Sequence, residues 1–285
     1  YVIRVHTSQR TFILKQSMPY VQKYPAIEAP QERIKTEYLF YRHISAQQKV
    51  QQHMPAAIGF DSEQFILALE DAGTMQNGTL LYSNPEHLQE QHLNCLLDYL
   101  NALHLFSHTT EPVAGFENHK MKILNAEHIF TYPFQYNNGF NLDTIQTGLQ
   151  AASLPYKNNS LLKKKIDQLR ATYMNGGEFL LHGDYYPGSW LIDATTIKVI
   201  DPEFCFYGTN VFDLSVLIAH LKIARCSDSL IQKAIARYQL PINRQLLMAF
   251  TGVEILRRLI GLAQLPLLLS LVEKQSLMEE AASMI

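Results

Sequence analysis

Leu180-Leu181-His182-Gly183-Asp184-Tyr185-Tyr186-Pro187-Gly188-Ser189, followed by Ile200-Asp201-Pro202-Glu203, is the stretch from which the rest of the chain can be read. It puts three carboxylates in two short loops, with Asp184 and Asp201 17 residues apart. An apolar, strand-like run precedes each loop: 179–181 before the first and 197–200 before the second. A carboxylate beside Gly in such a loop can face a ligand. Asp201 and Glu203, two residues apart in an extended chain, can aim both side chains at one hard cation. One Asp to orient a hydroxyl, with further acids for Mg²⁺ on the phosphates of ATP, is the layout of phosphoryl-transfer chemistry.

Working outward, residues 1–5 and 11–17 read as two strands around a polar turn. Residues 30–45 read as a helix with Pro30 at its first position, and Ile34, Glu37, Tyr38 and Tyr41 share one face. A third strand, 65–69, runs into Glu70-Asp71-Ala72-Gly73, read as a hinge. Beyond it the chain turns helical. A long helix is expected to open at Asn84 and Pro85, and another to span 160–174 before Asn175-Gly176-Gly177. Residues 110–160 show little pattern. A hairpin around Asp193-Ala194-Thr195 follows the first acidic loop, then helices near 213–224 and 243–265. This order predicts an α+β, bilobal protein-kinase-like fold. The small β-rich N-lobe is 1–73, for nucleotide, and the larger helical C-lobe is 74–285, for catalysis and acceptor. The chain opens at Tyr1 within a strand-like run, so a glycine-rich phosphate loop is expected before Tyr1, outside this sequence.

Composition narrows the function classes. Lys+Arg number 24 against 26 Asp+Glu, a formal charge of −2, which argues against nucleic acid as a partner. Hydrophobic residues make up 47 %, enough for a sizeable core. The most apolar stretch, 259–272, is too short for a span and contains Gln264 and Pro266, so no membrane partner is expected. Three widely spaced cysteines suit a reduced, cytoplasmic protein.

His182-Gly183-Asp184 followed by Asp201 resembles the aminoglycoside and choline phosphotransferase superfamily. Within it, four segments are similar to methylthioribose kinases. They are Leu14-Lys15-Gln16 through Val21; His182 through Ser189; Val199 through Gly208, continuing to Phe212-Asp213; and Glu254-Ile255-Leu256-Arg257-Arg258 through Ala263. The resemblance implies an ATP- and Mg²⁺-dependent kinase acting on a small-molecule hydroxyl, with methylthioribose or a similar sugar as the leading acceptor. An aminoglycoside, choline or another amino alcohol is the rival acceptor, and a catalytically inactive binding module the rival class. A homodimer is left open.

The same resemblance implies roles for individual residues. Asp184 would accept a hydrogen bond from the acceptor hydroxyl. Asp201 and Glu203 would hold the metal, with Ser189 standing where many kinase-like enzymes have Asn. Lys15 would contact the phosphates and pair with Glu37, whose place in an apolar stripe calls for a partner; a lone strand lysine is otherwise usually solvated. The backbone of Leu69, Glu70, Asp71 and Ala72 would meet adenine. Arg257 and Arg258 would contact the acceptor or steady the phosphate, although Glu254 can pair with either at helical spacing. Tyr185 and Tyr186 differ from the family's usual residues and, beside Asp184, are expected near the acceptor. His182 would order its loop. Asp213 would brace that loop or simply open its helix. His104 reads as a core histidine.

Overall fold

The computed structural model describes residues 1–285. It opens with β1 (Val2–His6) and β2 (Thr11–Gln16), an antiparallel pair in which Ile3 faces Leu14 and Val2 faces Lys15. A small ribbon follows, β3 (Tyr20–Val21) and β4 (Tyr24–Glu28). Helix α1 then spans Arg33–Ile44 and a single turn, α2, spans Gln48–Gln51. Strands β5 (Ala57–Asp61) and β6 (Ile66–Glu70) complete a four-stranded antiparallel sheet of order β1-β2-β6-β5. Helix α1 starts three residues after Pro30, later than the sequence suggests. The Pro30–Glu32 carbonyls accept single-turn bonds from Arg33, Ile34 and Lys35, and Arg33 caps the Pro30 carbonyl with its side chain. Its buried face is Ile34, Glu37, Phe40, Tyr41 and Ile44, and Tyr38 stacks on Phe60 at 4.3 Å.

Past the short strand β7 (Gln76–Asn77), the chain is mainly helical. The segment at Asn84–Pro85 forms only a 3₁₀ turn, Pro85–His87, capped by the Asn84 side chain. The long helix α3 begins later, at Glu90, and runs to His108, because Gln89 and His92 close a capping box there. The stretch 110–160, which shows little sequence pattern, contains α4 (His119–Ala126), a π turn (Glu127–Thr131) and α5 (Leu149–Lys157). Helix α6 (Ser160–Met174) ends at Asn175, as its sequence indicates.

Two small antiparallel pairs then carry the acidic loops. Strand β8 (Phe179–Leu181) pairs with β11 (Phe206–Gly208), and β9 (Trp190–Ile192) pairs with β10 (Ile197–Val199). The loop 182–189 links β8 to β9 and the loop 200–205 links β10 to β11, so the two lie side by side. The Ile200 N–H donates to the Ser189 carbonyl at 2.9 Å. Helices α7 (Val211–Ile223), α8 (Asp228–Arg237), α9 (Arg244–Ile260) and α10 (Leu271–Ser283) close the molecule. Every residue of α7 except Lys222 is buried, as expected of a helix apolar on all sides. One continuous core joins the sheet, α1, α3, α7 and α9. No helix is long and apolar enough to cross a membrane.

Candidate active site

The loop 182–189 is shaped by its own backbone demands. Gly183 has a φ of +83°, and a Cβ there would collide with the Phe204 carbonyl, so only glycine lets the two acidic loops approach this closely. Asp213, at the start of α7 and fully buried, accepts the His182 N–H at 2.7 Å and the Gly183 N–H at 3.0 Å. His182 completes the brace with its Nε2 at 2.9 Å from the Ile200 carbonyl. Asp213 thus holds the loop as well as opening a helix, and His182 ties one acidic loop to the other. His104 is fully buried, with Nδ1 2.7 Å from the Tyr238 hydroxyl.

Asp184 emerges from this loop with its side chain 21 % exposed. Arg258 Nη2 lies 3.3 Å and Arg257 Nη2 3.6 Å from its Oδ1. Both guanidiniums are also bound by Glu254, from Arg257 Nε at 2.5 Å and Arg258 Nε at 2.8 Å. The two alternatives left open by the sequence are therefore both realised: the pair binds Glu254 and reaches Asp184. Adjacent helical residues diverge, and the long side chains converge only because Glu254 gathers them from one turn earlier. Burial raises the Asp184 carboxyl above its ordinary range, against the pull of Arg258 and Arg257. Burial also acts to raise Glu254, but the two arginines outweigh it and hold that carboxyl well below the usual value.

A second cluster lies alongside. Carboxylate oxygens of Glu37, Asp201 and Glu203 all fall within 4.8 Å of one another. The Lys15 ammonium sits among them: it donates to Glu37 at 2.6 Å and to Asp201, and is 3.7 Å from Glu203. Burial works to lower the Lys15 pKa, yet Asp201, Glu37 and Glu203 together raise it well above normal, so the ammonium is charged. Burial acts to raise the Glu37 carboxyl above its ordinary range, against the pull of the Lys15 ammonium. Asp201 adopts a φ of +67°, a left-handed conformation that Asp tolerates better than most residues. This oxygen-only donor set suits a hard divalent cation, and Glu37 Oε1 is buried without a hydrogen-bond partner.

Three neighbouring cavities, each sharing lining residues with the next, run past these groups. The first, about 250 Å³, is mostly apolar and is lined by residues of β1, β2 and the Leu69–Gly73 segment together with Lys15, Glu37 and Asp201. Leu69, Glu70, Asp71 and Ala72 all line it, and the Ala72 N–H has no backbone partner. The second, about 560 Å³, contains Lys15, Arg33, Asp184, Asp201 and Glu203. The third, about 370 Å³, contains Asp184, Tyr186, Arg257, Arg258, His128 and an apolar wall that includes Leu124 and Leu262.

Two expected site residues point elsewhere. Tyr185 is fully buried, stacks on Tyr99 and donates its hydroxyl to the Leu96 carbonyl at 3.0 Å, so it lines none of these cavities. Alternation along the extended loop sends Tyr185 into the core and Tyr186 outward, over the Arg258 guanidinium at 4.3 Å. Ser189 is also buried; its hydroxyl donates to the Asp184 carbonyl at 2.8 Å, bracing the loop, and it lines no cavity of the site. Other residues join the site unforeseen. Arg33 donates to Glu203 at 3.1 Å, while Asn118 holds the Glu203 and Cys205 carbonyls and Asn125 the Gly183 carbonyl. Asn118, Asn125 and His128 lie in 110–160, and only contacts distant in sequence reveal their roles.

Residues 1–246 match the model of the phosphotransferase enzyme family. A methylthioribose kinase from Bacillus velezensis is 28% identical over 92% of this chain and 76% of its own length. One from Exiguobacterium sibiricum is 29% identical over 80% of this chain and 59% of its own. In structure, the chain resembles the choline kinase of Streptococcus pneumoniae, with a TM-score of 0.55 at 12% identity over 99% of this chain and 89% of that one. It equally resembles a spectinomycin phosphotransferase solved with ADP and spectinomycin, with a TM-score of 0.55 at 14% identity over 99% and 87%. The kinase-like fold, the paired acidic loops and a family match over most of the length lead to one conclusion: the chain belongs to the phosphotransferase enzyme family.

Proposed function

We propose that the protein transfers the γ-phosphoryl group of ATP to a hydroxyl of methylthioribose or a closely similar sugar. The observation that carries this reading is the convergence of Arg257 and Arg258 on Asp184 at the head of the third cavity. Residues 1–73 form the nucleotide-binding part and 74–285 the catalytic and acceptor-binding part. Adenine lies in the apolar first cavity against the backbone of Leu69–Ala72. Lys15, oriented by Glu37, contacts the phosphates. Asp184 orients the acceptor hydroxyl and takes up its proton late, when little base strength is needed. The arginines face the transferring phosphoryl group and stabilise its spreading charge. A Mg²⁺ held by Asp201 and Glu203, with Arg33 steadying the latter, would neutralise charge on the phosphates. Free cysteines throughout support a reducing, cytoplasmic setting.

The charge of the third cavity favours a neutral acceptor. Lys23, Arg257 and Arg258 line it against Asp184 as the one carboxylate. A cationic amino alcohol or aminoglycoside would meet like charge there, whereas a sugar would meet hydrogen-bond donors and an apolar wall. The test offers methylthioribose, choline and spectinomycin separately to the protein with ATP and Mg²⁺, and follows ADP release and product mass. Phosphorylation of the sugar is expected, with little of the two cations. The Arg257→Ala, Arg258→Ala double variant should raise KM for the sugar, at a cost of about 1.5–3 kcal/mol, and leave KM for ATP nearly unchanged. Transfer to choline or spectinomycin with none to the sugar would overturn the acceptor.

A further inference from the structure

Behind the arginine pair lies a buried chain of hydrogen bonds that the proposed chemistry does not yet use. Tyr82 closes a 3₁₀ turn, Gly78–Tyr82, just beyond the hinge segment. Its hydroxyl is 2.6 Å from His220 Nδ1, and His220 Nε2 is 2.9 Å from Glu254 Oε1. Glu254 is in turn the carboxylate that gathers Arg257 and Arg258 beside Asp184. His220 is fully buried in the last turn of α7, and Glu254 is 2 % exposed on α9.

The partners fix the imidazole's protonation. Glu254 is held ionised by two guanidiniums, so it only accepts, and His220 must carry its proton on Nε2. Nδ1 then accepts from Tyr82, whose hydroxyl burial keeps protonated. A second proton on the ring would confront the Tyr82 hydroxyl hydrogen and both guanidiniums. Burial, outweighing the Glu254 hydrogen bond, lowers His220 to about 4. The Tyr186 ring packs against the same imidazole, at 5.3 Å, and against Arg258, at 4.3 Å. Glu254 therefore receives three donors, one from His220 and two from the arginines. Without the His220 N–H, the carboxylate would be held only by Arg258 at Oε1 and Arg257 at Oε2, the two groups it has to orient, with no fixed anchor of its own.

We infer that His220, in its neutral Nε2–H form and locked by Tyr82, is a positioning residue for phosphoryl transfer: it orients Glu254 so that Arg257 and Arg258 hold their outer nitrogens at Asp184. This rests on the phosphotransferase reading above, although not on the identity of the acceptor. It also links the segment after the hinge to the reacting centre. Gly78, which opens the Tyr82 turn, lies so close to the 182–189 loop that an added Cβ would come within 2.6 Å of the Pro187 carbonyl.

The experiment compares His220→Gln, His220→Leu and Tyr82→Phe with the unmutated protein in steady-state kinetics and thermal melts. Gln keeps an N–H donor near the Nε2 position; Leu keeps only bulk. His220→Leu should lower kcat about tenfold or more and leave KM for ATP within a factor of two. His220→Gln should recover most of that loss at an equal or lower melting temperature, which a purely structural role would not allow. Tyr82→Phe should fall between them. In the intact protein, histidine ¹⁵N NMR, assigned by difference with His220→Gln, should show Nε2 protonated and no titration from pH 8 to 5. Equal kcat for the Leu and Gln variants, or an Nδ1–H ring, would overturn the proposal. If methylthioribose is not phosphorylated, the acceptor assignment fails alone. The kinetic series is then run on ATP hydrolysis with water as acceptor, and the NMR result decides the tautomer independently.

Discussion

Asp184 and Glu254 face the same two arginines and titrate in opposite directions. Asp184 is raised because burial dominates; Glu254 is lowered because both guanidiniums bind it directly through Nε. Replacing Asp184 by Asn removes the proposed acceptor of the substrate proton and keeps shape. Turnover should fall by about 10² or more, while the rise in melting temperature on adding ATP and Mg²⁺ stays nearly intact. Equal turnover in the variant would take Asp184 out of the mechanism. For Glu254 the effect is on stability. Its folded pKa lies below the unfolded value, so the unfolded chain binds more protons and stability rises with pH in that interval. The stabilisation is complete above about pH 5, begins to fall at the ordinary carboxylate value and is lost only as pH drops through the lowered folded value. Thermal melts of the protein and of Glu254→Gln should differ most at neutral pH, and the gap should close in acid. A gap that widens below pH 4.5 would contradict this arrangement of charge.

At the scale of elements, the site depends on two strand pairs stitched by one helix terminus. β8–β11 and β9–β10 bring the loops together, and Asp213 of α7 satisfies two buried N–H groups that no strand can reach. Asp213→Ala leaves both donors buried and unpaired. We expect a loss of about 2–5 kcal/mol in urea unfolding, with activity lost in parallel, and a loss under 0.5 kcal/mol would show that the loop is held by other means. This scale also shows where local patterns mislead. Asn84-Pro85 is a sound helix start by composition and does begin a turn, but the competing box at Gln89 and His92 captures the long helix. Pro30 likewise begins a turn rather than α1.

Across the whole molecule, Lys15 joins the sheet to the acidic loops. Its partner Glu37 comes from α1, while Asp201 and Glu203 come from the far side of the cleft, 186 residues away in the case of Asp201. Lys15, Glu37 and Asp201 also line the first cavity, the one proposed to take the nucleotide. ATP with Mg²⁺ should raise the melting temperature by about the amount expected of a ligand that binds only the folded state, and Lys15→Met should remove most of that rise. No shift for the unmutated protein at millimolar ATP would remove the nucleotide from the reading.

The residue sequence by itself determined the chemistry on offer: the His182–Asp184 and Asp201–Glu203 loops, the Lys15–Glu37 pairing, and Arg257–Arg258 near the end of α9. Each is a short-range pattern of residue type and spacing, or a charge left in an apolar stripe that demands a partner. Only the tertiary structure decided which way each group points. Tyr185 and Tyr186 are alike in composition, yet a single step along an extended loop buries one against Tyr99 and lays the other over Arg258. Ser189 turns to its own loop, and Arg33, Asn118 and His220 find partners 34 to 170 residues away. Such pairings leave no trace in local periodicity, because they arise from how packed elements close on one another rather than from the propensities of any one of them.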